Sequence, residues 1–160
     1  MTKDEIKKFI NLAFLEAQKA LDIGEVPIGS IIINKNKKIV GRGYNKTEKL
    51  SDPTAHAEII AIRSATKRIK DWRLDNHIIF TTIQPCEMCM SAIIEARMQQ
   101  VFYGSKNTKR RNKTKQIKSR LSRNLKCEDL LKKFFKSSNS YVAKSELLTL
   151  IDIVITDLEK

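Results

Sequence analysis

Four side chains in two short motifs constrain this chain more than any other feature. The first motif is His56-x-Glu58, and the second, about thirty residues later, is Pro85-Cys86-x-x-Cys89. An imidazole nitrogen and two thiolates provide three ligands for tetrahedral zinc, and a site with three protein ligands keeps its fourth position open for water. Zinc lowers the pKa of a bound water to about 7. The pattern therefore predicts a catalytic metal centre rather than a closed structural one.

Glu58, two residues after the histidine, stands where it could move the protons of such a water. The alternative for Glu58 is a helix-start carboxylate that contributes under about 1 kcal/mol through the helix dipole. A Cys-x-x-Cys pair alone has further interpretations, as a redox pair or as two small buried residues. The preceding proline and the upstream His-x-Glu favour the metal site, because H-x-E…P-C-x-x-C is the signature of zinc-dependent nucleobase deaminases.

The sequence around both motifs resembles the bacterial tRNA adenosine deaminases in order and spacing, from about Thr2 to Gly104. The matching segments are Glu25-Val26-Pro27-Ile28-Gly29, Gly43-Tyr44-Asn45, Asp52-Pro53-Thr54-Ala55-His56-Ala57-Glu58-Ile59 and Gln84-Pro85-Cys86-Glu87-Met88-Cys89. The resemblance implies an α/β protein with the three-layer α/β/α cytidine deaminase-like fold, in which helices flank a central mixed sheet. It also implies one Zn²⁺ per subunit, a homodimer, and conversion of adenosine to inosine at the wobble position of an arginine tRNA.

The same resemblance suggests roles for individual residues. Glu58 would act as general acid and base without ligating zinc, while Asn45 would contact the base through its side-chain amide. Two positions depart from the family: Gln84 replaces a usual glutamate, and Asn107 stands where an aspartate usually contacts the nucleotide beside the target. The predicted zinc ligands are His56, Cys86 and Cys89, and the predicted substrate contacts are Asn45, Ile28, Pro53, Thr54, Ala57 and Asn107.

Hydrophobic periodicity and turn signals predict alternating helices and strands. Thr2 and Glu5 form a capping box that begins an amphipathic helix, and Gly24 ends it. The β-branched run 28–33 and the run 39–44 predict two strands joined by a turn. A helix beginning near His56, a strand over 77–83, a helix opened by Pro85 and a strand over 101–103 follow. This alternation predicts a mixed α/β layer.

The segment 105–126 carries ten lysines or arginines and no acidic residue. It is either a solvated loop or a surface that follows the phosphates of an anticodon stem-loop, and its place near the catalytic edge favours the second. The predicted RNA backbone contacts are Lys106, Lys109, Arg110 and Arg111.

Apolar residues from Leu121 to Phe135 predict a basic amphipathic helix. We therefore expect a deaminase domain over 1–137 and an extension over 138–160, whose periodicity fits either a helix or a strand.

Composition supports these expectations. A formal net charge of +13 favours an anionic partner. Two thiolate ligands suit a reducing compartment, and the chain shows neither a signal-peptide core nor an apolar stretch long enough to span a membrane, so we expect a cytoplasmic protein. The leading hypothesis is a tRNA adenosine deaminase. The alternatives are a cytosine or guanine type deaminase of free bases or nucleosides, and a non-catalytic, zinc-stabilised RNA-binding module.

Overall fold

A computed structural model describes residues 1–107 and 117–137. The described part forms a five-stranded mixed sheet with the strand order β2-β1-β3-β4-β5. Strand β1 runs antiparallel to β2 and β3, while β3, β4 and β5 are parallel. The elements are α1 (Lys3–Asp22), β1 (Gly29–Ile33), β2 (Ile39–Tyr44), α2 (Thr47–Leu50), α3 (Ala57–Ile69), β3 (Ile78–Ile83), α4 (Glu87–Glu95), β4 (Gln100–Ser105), β5 (Lys118–Leu121) and a helix α5 over 125–137.

Helix α1 covers one face of the sheet. It begins with the predicted capping box, in which Glu5 N donates to Thr2 Oγ1 at 3.2 Å and Thr2 N donates to the Glu5 carboxylate at 3.0 Å. Its buried side chains pack on β1 and β3, and Gly29 permits close contact because a Cβ there would lie 2.2 Å from the carbonyl oxygen of Ala13. The capping box therefore explains where α1 begins, and Gly29 explains how closely α1 packs against the sheet.

Helices α3 and α4 cover the opposite face. Alanines recur along α3 every four residues and lie against two glycines of β2. A Cβ on Gly43 would lie 2.3 Å from the carbonyl oxygen of Ala57, and one on Gly41 would lie 2.4 Å from that of Ala61. The helix therefore approaches the strand backbone more closely than side chains would allow. Helices on both faces of a mixed sheet confirm the predicted α/β/α architecture.

Some predicted boundaries were wrong. Helix α4 begins at Glu87 and not at Pro85, because Cys86 keeps an extended conformation (φ −72°, ψ 173°) and serves as the N-cap. The amphipathic helix begins at residue 125 and not at Leu121, which ends β5. Short elements were missed: α2 has four residues, and β5 has four exposed residues within the basic segment, so neither carries an apolar periodicity. The predicted extension over 138–160 lies outside the described residues.

The ends of several helices and strands lie at one edge of the sheet. Strands β3 and β4 end there in parallel, and the register of β1 with β2 brings the end of β2 beside the start of β1. Helices α3 and α4 both begin at this edge, directly after His56 and Cys86. Ligands of open α/β sheets usually bind at such an edge.

None of the helices within 1–107 and 117–137 combines the length and apolar character needed to cross a bilayer.

The contact between β2 and α3 leads to a first prediction. Gly43→Ala would place a methyl group on the backbone of Ala57, so we expect a loss of about 1–3 kcal/mol in the free energy of unfolding and weaker metal binding by the adjacent His56. Denaturant unfolding and a zinc titration measure the two effects. Gly24→Ala is the control: its positive φ of 77° also makes alanine unfavourable, but nothing lies within 4 Å, so only stability should fall. Unaltered zinc affinity in the Gly43 variant would contradict this account.

Candidate metal centre and active site

The start of α3 and the start of α4 bring three predicted ligands together. His56 is the N-cap of α3, Cys86 is the N-cap of α4, and Cys89 lies one turn further along α4. His56 Nδ1 is 3.6 Å from Cys86 Sγ and 3.4 Å from Cys89 Sγ. The three candidate ligand atoms all lie within 4.8 Å of one another. The three side chains predicted as zinc ligands therefore lie together as a group that could hold a metal ion.

This triangle fits zinc in both size and chemistry. With zinc–sulfur bonds of about 2.3 Å and zinc–nitrogen bonds of about 2.0–2.1 Å, tetrahedral angles separate the sulfur and nitrogen ligands by about 3.6 Å. The measured separations of 3.4 and 3.6 Å match that value. Two thiolates also balance the charge of a divalent ion, which matters because both sulfurs are buried. His56, Cys86 and Cys89 would therefore hold the ion from three sides.

The thiol pair is already polarised for this role. A hydrogen bond from the Cys89 side chain lowers the pKa of Cys86 to about 3, helped by the His56 side chain and by the backbone N–H of Cys89. The same contact with Cys86 raises the pKa of the Cys89 thiol. These hydrogen bonds favour the thiolate form at Cys86, and a coordinating cation would deprotonate the second thiol. The N-terminus of α4 adds a partial positive charge next to both sulfurs.

Glu58 lies in the first turn of α3, beside the metal-binding group. Its carboxyl group is in hydrogen-bonding contact with the Cys89 side chain, and only 3% of the residue is exposed. Burial raises the pKa of Glu58 to about 7, and the negative charge of Cys86 acts in the same direction. A carboxyl group in these surroundings can carry a proton at neutral pH. Its catalytic role is taken up below as a proposal.

Asn45 follows β2 at the same edge of the sheet. The backbone of the next residue, Lys46, donates to Ala55 O at 3.0 Å, which ties Asn45 to the segment that leads into His56. Asn45 is 5% exposed, and its amide is held at both ends: Nδ2 donates to Glu25 Oε2 at 3.0 Å, and Oδ1 accepts from Thr47 Oγ1 at 2.9 Å. The structure thus places Asn45 near the metal ligands, while its contact with a base stays a prediction.

Sequence reasoning missed Glu25, which is 1% exposed and bonded to Asn45. One signal was present, because an acidic residue directly precedes the apolar run that enters β1. A carboxylate beside such a run is rarely buried without hydrogen-bonding partners. Its partner, however, is twenty residues away in the sequence, and no local pattern identifies it.

The remaining predicted pocket residues take different positions. Thr54 is half-buried and donates from both its N–H and its hydroxyl group to Asp52 Oδ1, at 2.8 and 2.7 Å. Pro53 is exposed, Ile28 is half-buried, and Ala57 is fully buried against Gly43. They all lie on segments that meet at the sheet edge. Their contacts with substrate stay predictions.

A cleft of about 910 Å³ lies beside the ends of β3 and β4, and its lining includes Ile28, Lys106 and Asn107. Asn107 N donates to Gln84 Oε1 at 3.4 Å, so the two positions that depart from the family contact each other. The lining also includes Lys132 and an ion pair between Arg123 and Glu128, whose Nε and Oε1 atoms are 3.2 Å apart. Of the predicted RNA contacts, Lys109, Arg110 and Arg111 lie outside the described residues.

Comparison with known protein families gives one match that covers most of this chain. Residues 3–105 match the model of the cytidine and deoxycytidylate deaminase zinc-binding region. This span contains all three candidate zinc ligands and Glu58. The match therefore agrees with the geometry of the metal-binding group.

Several curated relatives are tRNA deaminases. The chain is 44% identical over 106 residues to the chloroplastic tRNA(adenine(34)) deaminase of Arabidopsis thaliana, a match that covers 66% of this chain and 8% of that protein. It is 39% identical to the tRNA-specific adenosine deaminases of Haemophilus influenzae, over 64% of this chain and 60% of that protein, and of Buchnera aphidicola, over 81% and 93%. The chain thus spans less than two thirds of the first two relatives and nearly all of the third.

Solved structures show the same relationship. A structure from work on A-to-I editing by tRNA:A34 deaminases at the wobble position of transfer RNA has 31% identity and a TM-score of 0.67, and the match covers 72% of this chain and 97% of that chain. Guanine deaminase from Bacillus subtilis has 36% identity and a TM-score of 0.60, over 64% of this chain and 65% of that chain. Both similarities extend over more than half of this chain.

The geometry of the three ligands predicts their separate contributions. We expect one zinc per chain, and we expect Cys89→Ser to lose most of it, because a serine hydroxyl is a poor substitute for a thiolate. Elemental analysis of purified protein measures the stoichiometry, and thermal unfolding with and without a chelator measures the linked stability. Cys127→Ala is the matched control, since Cys127 is also buried but packs in the apolar cluster under α1. Equal zinc content in both variants would contradict the assignment.

Proposed function

Because this chain belongs to the family of the cytidine and deoxycytidylate deaminase zinc-binding region, we propose that it is a hydrolytic deaminase that converts adenosine to inosine at the wobble position of a tRNA anticodon. One observation carries the proposal: an open His-Cys-Cys metal-binding group lies beside a buried glutamate at the ligand-binding edge of the sheet. The tRNA deaminases among its relatives support the choice of substrate.

The reaction follows from the groups in place. His56, Cys86 and Cys89 would hold the zinc, which would supply a water activated at neutral pH. Water adds its oxygen to C6 of adenine, the bond from C6 to the exocyclic nitrogen breaks, and ammonia leaves. Glu58 would transfer both protons of the water in turn: the first goes to the ring nitrogen, and the second, from the hydroxyl group then on C6, goes to the departing amine. Asn45 binds the base and fixes its orientation against the metal centre.

Charge and shape support RNA as the carrier of the base. Bases in an anticodon loop are already splayed, so placing one in a pocket requires little unstacking energy. The cleft at the ends of β3 and β4 is lined by Lys106 and Lys132 together with Arg123, which pairs with Glu128 of the same lining, and we propose that it receives nucleotides that flank the target. The net charge of +13 gives a favourable field for a polyanion.

Three further expectations complete the proposal. We propose that Lys106, Lys109, Arg110 and Arg111 contact the RNA backbone, that the protein is a homodimer, and that it acts in the cytoplasm. The resemblance to the tRNA enzymes supports the first two, and the thiolate ligands suit the third. The boundary between a deaminase domain over 1–137 and an extension over 138–160 is likewise a prediction.

A free-base deaminase is the alternative, and the similarity to guanine deaminase favours it over other candidates. Such an enzyme needs no cationic cleft. A non-catalytic RNA-binding module is disfavoured because it gives no role to Glu58, whose buried carboxyl group lies beside the metal-binding group and has a raised pKa.

Incubation of the purified zinc protein with total tRNA tests the function directly. We expect inosine at the wobble position, detected as A-to-G changes by sequencing, together with release of one ammonia per inosine. Parallel reactions with free guanine, cytosine, cytidine and adenosine measure the alternative. Ammonia from guanine or cytosine without inosine in tRNA would replace the proposed function by that of a free-base deaminase.

Glu58→Gln separates chemistry from metal binding. The amide keeps the shape of the side chain but cannot take a proton from water, so we expect turnover to fall about 10²–10⁴-fold while zinc content is unchanged. Single-turnover kinetics and elemental analysis measure the two quantities. Glu87→Gln is the matched control, because Glu87 is an exposed carboxylate in the first turn of α4 beside Cys86. Near-normal turnover in the Glu58 variant would end its assignment as the proton carrier.

A further inference from the structure

We propose that Glu25 is a positioning residue that fixes the orientation of the Asn45 amide, so that Asn45 offers an N–H group to a ring nitrogen of the target base. This inference rests on the proposed function, because it concerns the residue assigned to base binding. Glu25 is 1% exposed and reaches Asn45 across twenty residues of sequence. A carboxylate buried to this extent requires hydrogen-bonding partners, and those partners indicate what it does.

The two oxygens of Glu25 have separate partners. Oε2 accepts from Asn45 Nδ2 at 3.0 Å, and Oε1 accepts from the backbone N of Lys49 at 2.7 Å. Both donors are neutral amide groups. By accepting these two hydrogen bonds, the buried carboxylate of Glu25 fixes the positions of both groups. The bond to Lys49 anchors α2, which leads to the turn before His56. Glu25 therefore holds both the base-binding side chain and the segment that follows it.

The carboxylate determines which way the Asn45 amide faces. An ionised carboxylate only accepts hydrogen bonds, so the nitrogen of Asn45 must face Glu25. The oxygen of Asn45 then faces the hydroxyl group of Thr47, which donates to it at 2.9 Å. These contacts use one Nδ2 hydrogen and one lone pair of Oδ1. One further N–H donor and one acceptor site remain for a ligand.

The remaining donor suits a purine. Ring nitrogens of adenine are hydrogen-bond acceptors, and the Asn45 amide accepts a hydrogen bond from Thr47 at its oxygen, which polarises the N–H that remains. If the amide were reversed, its oxygen would face those acceptors and the contact would become repulsive. The orientation of Asn45 therefore decides whether the base binds, and Glu25 sets that orientation.

Glu25→Gln is the informative substitution, because it keeps the size of the side chain and reverses one polar end. The N–H of Lys49 makes the shorter of the two bonds to Glu25, at 2.7 Å against 3.0 Å, and it can only donate, so the oxygen of the introduced side-chain amide should stay there and its NH₂ group should face Asn45. Two NH₂ groups cannot bond to each other, and Asn45 is expected to flip. The hydroxyl group of Thr47 can rotate to accept from the reversed amide.

A spectroscopic measurement tests this positioning without substrate. In ¹⁵N-labelled zinc protein, the side-chain NH₂ signal of Asn45 is identified by its loss in Asn45→Ala. In Glu25→Gln we expect its hydrogen-bonded proton to shift upfield, because it exchanges a charged acceptor for a neutral hydroxyl group. An unmoved Asn45 signal would overturn the proposal. Because no substrate is present, this result does not depend on the proposed function.

A double-mutant cycle tests the consequence for the reaction, with inosine formation in tRNA as the readout. Glu25→Gln and Asn45→Ala should each reduce kcat/KM about tenfold or more at unchanged zinc content. If Glu25 acts through Asn45, the double variant should be no worse than Asn45→Ala. Multiplied losses would show an independent structural role and overturn the proposal.

Glu16→Gln is the matched control. Glu16 is another buried glutamate, 2% exposed, but it pairs with Lys19 and Arg42 on the α1 side of the sheet. Its substitution should lower thermal stability and leave both kcat/KM and the Asn45 signal unchanged. If wild-type protein forms no inosine, the proposed function fails, and the Asn45 signal alone then decides the positioning of the amide.

Discussion

The close approach of backbone to backbone between α3 and β2 is the constraint on which the site depends. Gly43 leaves no room for a Cβ next to Ala57, and Ala57 directly follows the ligand His56. Helix α4 places its sulfurs from the other side, at the end of β3. Since zinc bonds tolerate deviations of only about 0.2 Å, two independently packed helix starts must be held rigidly. Small residues provide this rigidity because they let the two main chains contact each other directly. The distance between α3 and β2 is then set by stiff backbone rather than by flexible side chains.

The electrostatics of the site also depend on the starts of α3 and α4. Both helix N-termini present partial positive charge toward two sulfurs and one carboxyl group, all of them buried. Burial alone favours the protonated thiol, as it does for Cys127, whose pKa it raises to about 12. Cys86 has the opposite shift because it accepts hydrogen bonds at a helix start. Two buried cysteines thus differ in chemistry because their backbone positions give them different hydrogen-bonding partners.

Sequence reasoning recovered the parts of this protein that are encoded locally. The capping box at Thr2, strand β2 and the metal ligands follow from short patterns whose spacing has a direct physical meaning. It did not recover Glu25, because the partner of a buried carboxylate is determined by the tertiary fold. Strand β5 was missed because its pairing with β4 is made by backbone groups, while its four side chains are exposed and mostly polar. The start of α4 was placed two residues early, since proline marks a boundary but does not say on which side of the N-cap it lies.

The two departures from the family pattern are best understood together. Gln84 and Asn107 are far apart in the sequence, yet the Gln84 side chain accepts a hydrogen bond from the Asn107 backbone at 3.4 Å. An acidic side chain at either position would bring a negative charge to this part of the sheet edge, next to Lys106. With two amides, this pair adds no negative charge beside Lys106, which lines the cleft. The electrostatics of the cleft therefore depend on both positions at once, and neither replacement should be interpreted without the other.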